Sequence, residues 1–272
     1  MLNAVSFVYA QRIAVPEPGE YFTNTDKYEV LDTCKYEIHY NLSYVLDTTL
    51  KTIKAPIEDV CVLQIGKRVS KTYSESIYET DSIDHAEIKK GANAVPMLQK
   101  VVPPVEVFKG YPSGQMTVTH LAVTSDFVFR YTEPEPKQDW EIGTATKKIL
   151  GYDCTEATCS YRGRDYVAWF TTAIPLEDGP WMFGGLPGLI LAIHDTKNQY
   201  DFQCIGISQQ REPIKMFERK YKVGERSVIR RDISQMYAHL NNYIPRLYVK
   251  HRYGPLEKVS DAYMPYNPIE LK

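Results

Sequence analysis

Hydrophobic and polar side chains alternate along several short stretches of this chain, and the clearest runs from Cys34 to Tyr44. Cysteine, tyrosine, isoleucine and leucine occupy every second position, and polar residues fill the positions between them. A period of two places successive side chains on opposite faces of a β-strand. The stretch therefore predicts a long strand with one buried face and one face in water.

Further strands are predicted where short apolar or alternating runs end in turn-forming residues. They cover Val60–Ile65, Arg68–Tyr73, Val105–Tyr111, Met116–Val123, Phe127–Tyr131, Cys154–Tyr161, Tyr166–Thr171, Leu189–Ile193 and Tyr200–Ile207. Short turns between consecutive strands favour antiparallel pairing. We expect a mainly β fold, in which the strands form a curved antiparallel sheet or an incomplete half-barrel.

One C-terminal helix is well marked. Asp232 is a good N-cap residue with Gln235 three positions later, and apolar residues recur at helical spacing over Ile233–Ile244. One apolar side of a curved sheet must be hidden from water, so we expect this helix to pack on the concave face. A shorter helix is expected between Ile83 and Lys89, inside a polar excursion.

The most unusual stretch is Gly184-Gly185-Leu186-Pro187-Gly188, which leads into an apolar run. Glycine tolerates positive φ and proline fixes φ near −65°, so the backbone is expected to turn sharply here. Pro187 and Gly188 suit the central positions of a type II turn. We interpret Gly184, Gly185, Pro187 and Gly188 as a structural turn that feeds a buried strand.

Several separate motifs occur in an order that resembles the GLPGLI family of Bacteroidetes envelope proteins, over roughly residues 28–260. The motifs that carry the resemblance are Val62-Leu63-Gln64-Ile65-Gly66-Lys67, Ile149-Leu150-Gly151-Tyr152-Asp153-Cys154, Tyr161-Arg162-Gly163-Arg164-Asp165-Tyr166, Gly179-Pro180-Trp181 and Gly185-Leu186-Pro187-Gly188-Leu189-Ile190. Members of that family are generally secreted and have no assigned reaction, so the resemblance implies export and supplies no catalytic residues. A more distant similarity to the half-barrels of lipoprotein-sorting proteins implies an open, cleft-forming sheet.

The start of the chain has some features of an export signal. Residues 1–10 are mildly apolar and end Val8-Tyr9-Ala10, but they lack a basic region and the apolar run is short. Either a secretory signal is truncated here or the resemblance is chance. Residues 11–27 are expected to form an extended arm, and residues 28–272 a single β-rich domain. The predicted location is therefore periplasmic or secreted.

Composition excludes some classes of partner. With 32 basic and 34 acidic residues the net charge is −2, which gives no general attraction to nucleic acid. No stretch approaches the ~20 apolar residues that a membrane-spanning helix needs. The 21 tyrosines favour half-buried sheet surfaces and so agree with a β fold.

The cysteines leave the redox state open. Cys34, Cys61, Cys154, Cys159 and Cys204 are an odd number, and either cross-strand disulfides or five buried thiols fit the pattern. There is no C-x-x-C pair, which argues against a structural zinc site. We expect neither a metal nor a cofactor.

The sequence offers no convincing catalytic constellation. It has no G-x-S-x-G elbow, no H-E-x-x-H pair and no P-loop. His194-Asp195 is interpreted as a turn with a solvated imidazole. A hydrolase whose site is assembled from distant residues, with His120 or His194 as the base, remains an alternative.

Five residues are candidate ligand contacts. Arg162 and Arg164 flank a glycine, and their guanidinium groups can bind a carboxylate or a phosphate through paired hydrogen bonds. An exposed hairpin tip with ordinary surface ion pairs is the simpler interpretation. Trp169, Trp181 and Phe183 either line a ligand groove or belong to the core.

Together these observations favour a non-enzymatic cell-envelope protein that binds an apolar or peptide-like ligand, or a partner protein. Besides the hydrolase, a second alternative is an accessory subunit of an outer-membrane uptake system, with an outer-membrane protein as its partner.

Overall fold

The structure is a computed structural model that describes residues 12–14, 24–49, 56–92, 94–96, 102–122, 127–242, 248–250, 256–258 and 263–272. The strands within these ranges are β1 Arg12–Ala14, β2 Tyr28–Thr33, β3 Tyr36–Tyr44, β4 Ile57–Ile65, β5 Ser70–Ser74, β6 Ala94–Pro96, β7 Val105–Lys109, β8 Gln115–Leu121, β9 Val128–Pro134, β10 Glu141–Ile149, β11 Tyr152–Tyr161, β12 Arg164–Thr171, β13 Leu189–Asp195, β14 Tyr200–Gln209, β15 Pro213–Phe217, β16 Tyr221–Val223, β17 Tyr248–Lys250 and β18 Leu256–Lys258. The α-helices are α1 Glu75–Lys89 and α2 Arg226–Ala238, and a 3₁₀ turn follows at Leu240–Asn242.

Twelve of these strands form one sheet in the order β10-β11-β12-β13-β14-β3-β4-β5-β7-β8-β9-β16. Its neighbouring strands run antiparallel except β9 and β16, which run parallel. The outer strands β10 and β16 do not pair with each other, so the sheet is open. The prediction of a mainly β fold with an open curved sheet is confirmed. No helix among the described residues is long and apolar enough to cross a membrane.

The main hydrophobic core lies on one face of the sheet. In β3 every second residue from Ile38 to Tyr44 is buried, which confirms the alternation that predicted this strand. The same core contains Trp181, Met182, Phe183 and Leu186 from the loop between β12 and β13, four residues of α2, and Met264 near the C-terminus. The loop, the helix and Met264 therefore cover the apolar face together.

A smaller core lies on the opposite face. Val107 and Phe108 are neighbours in β7, and Val107 enters the main core whereas Phe108 enters the second one. The two-stranded ribbon of β2 and β15 supplies most of the cover there. The fully buried Lys71 crosses this region and contacts Glu106 at 2.7 Å. The central strands are thus buried on both faces.

A buried lysine fixes the loop that precedes β13. Lys109, at the end of β7, donates to the Asp178 carboxylate and to the carbonyl oxygens of Gly179 (2.8 Å) and Phe183 (2.9 Å). Trp140 adds a hydrogen bond from its indole nitrogen to the Gly184 carbonyl oxygen at 2.8 Å. These bonds satisfy backbone acceptors that would be costly to bury alone.

The glycine-proline turn is sharp, but it is not the predicted type II turn. The Gly188 amide donates to the Leu186 carbonyl oxygen at 2.7 Å, and the Leu189 amide, which would close a type II turn, donates to Ile174 instead. Gly188 has a φ of 154°, and a Cβ added there would lie 2.1 Å from the Thr171 carbonyl oxygen. The glycine is required because the backbone of the preceding strand occupies the side-chain position.

Both predicted helices exist with different bounds. The α2 helix begins at Arg226, so Asp232 lies inside it and pairs with Lys222 at 2.9 Å; the predicted capping box at Asp232 is wrong. The helix ends at Ala238, and residue 244 is outside the described part of the chain. The α1 helix begins at Glu75, two turns before the predicted start, because Ser74 caps it through a hydrogen bond to the Ile77 amide.

Little of the N-terminal prediction falls within the described residues. Residues 1–10 lie outside them, and of the predicted arm only β1 and residues 24–27 are described. The β1 strand is extended and pairs with β6.

We predict that Gly188→Val lowers the free energy of unfolding by at least about 4 kcal/mol, because a β-branched side chain would collide with the Thr171 carbonyl. Urea titration of both proteins measures the change. Gly206→Ala is the matched control: nothing lies within 4 Å of its added Cβ, so a change within about 1 kcal/mol is expected. Equal effects at the two glycines would contradict the explanation.

Candidate functional site

The candidate arginines lie on a tight turn between β11 and β12. Tyr161 and Arg164 are the last pair of the hairpin, so Arg162 and Gly163 form its two-residue loop. Both loop residues have positive φ, 50° and 87°. This is the backbone pattern of a type I′ turn, whose twist matches that of the two strands.

Arg162 holds two carboxylates from distant parts of the chain. Its guanidinium contacts Glu270 at 2.8 Å and Glu133 at 2.6 Å, and a third contact reaches the Met182 sulfur at 3.4 Å. Its side chain is only 11% exposed. Arg162 thus binds carboxylates as its sequence context suggested, but both carboxylates belong to the protein itself.

Arg164 is buried, so the expectation of an exposed hairpin tip is wrong for this residue. Its guanidinium forms an ion pair with Asp195 at 2.9 Å, and both side chains are 2% exposed. The same group donates to the side-chain oxygens of Gln199 and Asn267, each at 2.7 Å. It also donates to two carbonyl oxygens of residues 267–272. Strand β12 begins at Arg164, and its even-numbered side chains face the main core, which carries this arginine inward.

A groove for an extended segment results from these contacts. We call residues 267–272 the C-terminal segment. The side chains that contact this segment form the C-terminal groove, and they are Arg162, Arg164, Tyr166, Tyr200, Arg226 and Arg230. The backbone amides of Leu271 and Lys272 donate to the Arg162 carbonyl oxygen at 2.8 and 3.2 Å.

Side-chain donors bind most backbone carbonyls of the C-terminal segment. Tyr200 donates to Asn267, Arg164 to Pro268 at 2.7 Å and to Ile269 at 2.9 Å. Tyr166 donates to Ile269 at 3.2 Å, Arg230 to Glu270 at 2.5 Å and Arg226 to Lys272 at 2.5 Å. The groove therefore recognises main-chain oxygens without a β-ladder.

Glu270 is the charged centre of the segment. Its side chain is 8% exposed and contacts Arg162 and Arg226, while Arg230 lies 3.8 Å away. The Tyr131 hydroxyl donates to it at 3.1 Å. Burial raises the pKa of Tyr131 well above its ordinary value, so this phenol stays protonated and remains a donor.

The aromatic candidates occupy different places. Trp181 and Phe183 are buried in the main core, where the Phe183 ring meets the Tyr166 ring edge-on with centroids 4.7 Å apart. Trp169 is half-buried on the other face of β12, and its indole N–H has no hydrogen-bond partner among the residues that the structure describes. The Lys147 ammonium lies 4.2 Å from that ring. Of the candidate residues, Arg162 and Arg164 both line the C-terminal groove. Phe183 packs against Tyr166, which also lines the groove, whereas Trp169 lies on the opposite face of β12.

The histidines and thiols do not form a nucleophile–base pair in the described residues. His120 is buried, which lowers its pKa to about 3, and its ring nitrogen lies 3.2 Å from the Tyr237 hydroxyl. Asp195, the neighbour of His194, accepts from the amides of Gln199 and Tyr200, as expected for a turn, but it also pairs with Arg164.

All five cysteines are buried free thiols. Burial raises the pKa of Cys61 and of Cys159 to about 12, and those of Cys34 and Cys204 to about 11, which disfavours the reactive thiolate. No group of three or more metal-ligating side chains occurs in the part of the chain that the structure describes.

Sequence reasoning missed Arg226, Arg230 and Glu270. The two arginines are four positions apart, which places them on one face of a helix, and they precede the predicted helix start. A helix start placed at residue 226 would have shown this basic pair. Glu270 gave no signal, because its partners lie 44 and 108 positions away.

Comparison with known proteins adds a family match over part of this region. The model of a family described as "Protein of unknown function (Porph_ging)" matches residues 162–192. The matched segment contains the β11–β12 turn, the loop fixed by Lys109 and most of β13. No curated protein matches the chain.

Two solved structures of PNGF-II are similar to this chain. One, in space group P21, has 16% sequence identity and a TM-score of 0.49, and the match covers 75% of this chain and 34% of that one. The other, in space group C2, has 14% identity and a TM-score of 0.48, with 75% and 33% covered. The chain thus spans about a third of the length of these structures.

We predict that Arg164→Ala lowers the free energy of unfolding by about 3–5 kcal/mol, because the buried Asp195 carboxylate would lose its counter-charge. Thermal and urea unfolding measure the loss. Arg231→Ala is the control: that side chain is 68% exposed and its contact to Asp232 is 3.8 Å, so a change within about 0.5 kcal/mol is expected. A small loss at Arg164 would show that the buried network contributes little.

We also predict that His120 makes the protein labile to acid. Its pKa is about 3 when folded and near 6.5 when unfolded, so its contribution is complete above pH 6.5 and is lost as pH falls towards 3. Between pH 7 and pH 5 the native protein should lose about 2 kcal/mol more than His120→Gln. Tyr237→Phe should keep the native pH dependence, because burial and not the hydrogen bond shifts the pKa. Parallel pH curves for native protein and His120→Gln would refute the prediction.

Proposed function

We propose that this protein is an exported, non-enzymatic protein of the cell envelope that binds an extended peptide ligand or partner segment in the C-terminal groove. We further propose that it is related to the GLPGLI proteins of Bacteroidetes and resides in the periplasm or outside the cell. The ordered motifs of the sequence and the Porph_ging match at residues 162–192 support this relationship.

One observation carries the proposal: side chains of the sheet and of α2 bind the backbone carbonyls of five residues in the C-terminal segment. Recognition of main-chain oxygens is independent of most side chains, so it suits a peptide ligand. The Glu270 site adds selectivity, because Arg162 and Arg226 leave a buried position for one carboxylate. The ligand class is an extended peptide that carries an acidic residue.

The interior supports a peptide over a large apolar ligand. The main core is filled by the protein's own side chains, including Phe183 and Leu186. A cavity of about 20 Å³ lies beside α1 and is bordered by Tyr73, Asp81 and Arg219. That volume holds about one water molecule, far less than a lipid chain needs.

Peptide exchange tests the proposal. A site-specific protease sequence is inserted after Lys258 in the full-length chain, and the cleaved protein is titrated with a fluorescent peptide spanning residues 263–272. We expect saturable binding by anisotropy. The same peptide with Glu270→Lys should bind at least about tenfold more weakly, because Arg162 and Arg226 would face a cation. The Leu271→Ala peptide is the matched control, since Leu271 is 46% exposed.

Two results would contradict the proposal. One is the absence of saturable binding by a cleaved protein whose near-ultraviolet circular dichroism is native. The other is equal affinity for all three peptides. Fractionation of cells that express the full-length gene tests the location, and recovery in the cytoplasm alone would exclude export.

A further inference from the structure

Strand β10 is a long outer strand whose residues are exposed or half-buried. It forms one end of the twelve-stranded sheet, and in the described residues its outer side has no strand partner. The pattern over Glu141–Ile149 contains no buried residue, and Ile142 is 55% exposed. Unpaired backbone donors and acceptors on such an edge are a template for another strand.

Two features of β10 act against pairing with an arbitrary strand. The register with β11 shifts between Ile142 and Thr146, which marks a bulge, and Lys147 and Lys148 lie near the C-terminal end. Bulges and edge lysines are the usual protection against unwanted pairing. A compatible partner must therefore supply matching negative charge at a defined position.

We propose that β10 is the interface for a second copy of this chain, paired with itself in antiparallel register about Thr144. In this register the irregular residues 143–145 of the two copies face each other across the two-fold axis. Glu141 then lies opposite Lys147 of the partner. The pairing is isologous, so the same ion pair forms twice. An acidic start and a basic end make the strand complementary to its own reversed copy, and this complementarity selects a second copy over other strands.

The registers observed within the chain support this face assignment. Glu141 pairs with Thr158 and Lys147 pairs with Cys154, two β11 residues that lie four positions apart and so on one face. Glu141 and Lys147 therefore share a face. Lys148 points to the other face, where it already pairs with Asp153 at 2.8 Å. Directly opposed side chains in antiparallel strands are close enough for an ion pair.

Charge exchange tests the register directly. Sedimentation velocity of the full-length chain should show a concentration-dependent dimer, which weakens at high salt because the ion pairs are exposed. Lys147→Glu and Glu141→Lys should each raise the dissociation constant about tenfold or more, since each places two like-charged pairs in the interface. Lys148→Glu, the matched control, makes the same charge change on the other face and should have a much smaller effect.

Mixing the two weakened variants distinguishes this register from general charge effects. Glu141→Lys and Lys147→Glu are complementary to each other, so native mass spectrometry should detect a one-to-one heterodimer that is tighter than either homodimer.

Three results would overturn the proposal. They are a native chain that stays monomeric at all concentrations, equal effects of Lys147→Glu and Lys148→Glu, and failure of the mixed variants to associate.

Discussion

The buried ammonium group of Lys109 fixes the loop between β12 and β13 to the sheet, and the C-terminal groove depends on the position of that loop. Lys109 comes from the middle of the sheet, and its three acceptors lie in the loop between β12 and β13. An unpaired charge at that depth would cost several kcal/mol, so sheet and loop must form together. With the loop in place, Phe183 packs beneath Tyr166, and the Tyr166 hydroxyl is directed to the C-terminal segment. One ion pair thus connects the core to the groove.

The fold was more predictable than the site because the two depend on different kinds of information. Alternation in β3 and short apolar runs elsewhere are local signals, and they identified the central strands correctly. Strand β10 was missed because its side chains are exposed on both faces and carry no alternation. The α1 helix was underestimated because its only fully buried residue is Asp84, so no apolar stripe marks it.

The candidate groove depends on contacts that local patterns do not encode. Arg162 and Arg164 were identified from their turn, but whether an arginine is exposed or buried is decided by what packs on it. Here the cover comes from residues more than a hundred positions later. The type II turn failed for a related reason, since the carbonyl of Thr171 occupies the space beside Gly188. Tertiary contacts overrode the local preference in each case.

The C-terminal groove and strand β10 both contain backbone polar groups that have no partner in a neighbouring strand. In the groove, carbonyl oxygens of an irregular segment are satisfied by arginine and tyrosine side chains, so they can be buried. On β10 the backbone groups of the outer side have no strand partner among the described residues, and Lys147 and Lys148 lie near one end of the strand. The same chemical groups are thus buried with side-chain donors at one place and left without a strand partner at the other.

The position of the C-terminal segment has a consequence for biosynthesis. Arg164 is made about a hundred residues before the carbonyls that it binds, with a separation of 105 to Ile269. Until residues 267–272 leave the ribosome, the guanidinium of Arg164 lacks three of its five acceptors and one end of the sheet lacks its cover. The nascent chain should therefore remain loosely packed, and accessible to chaperones, until this segment has emerged.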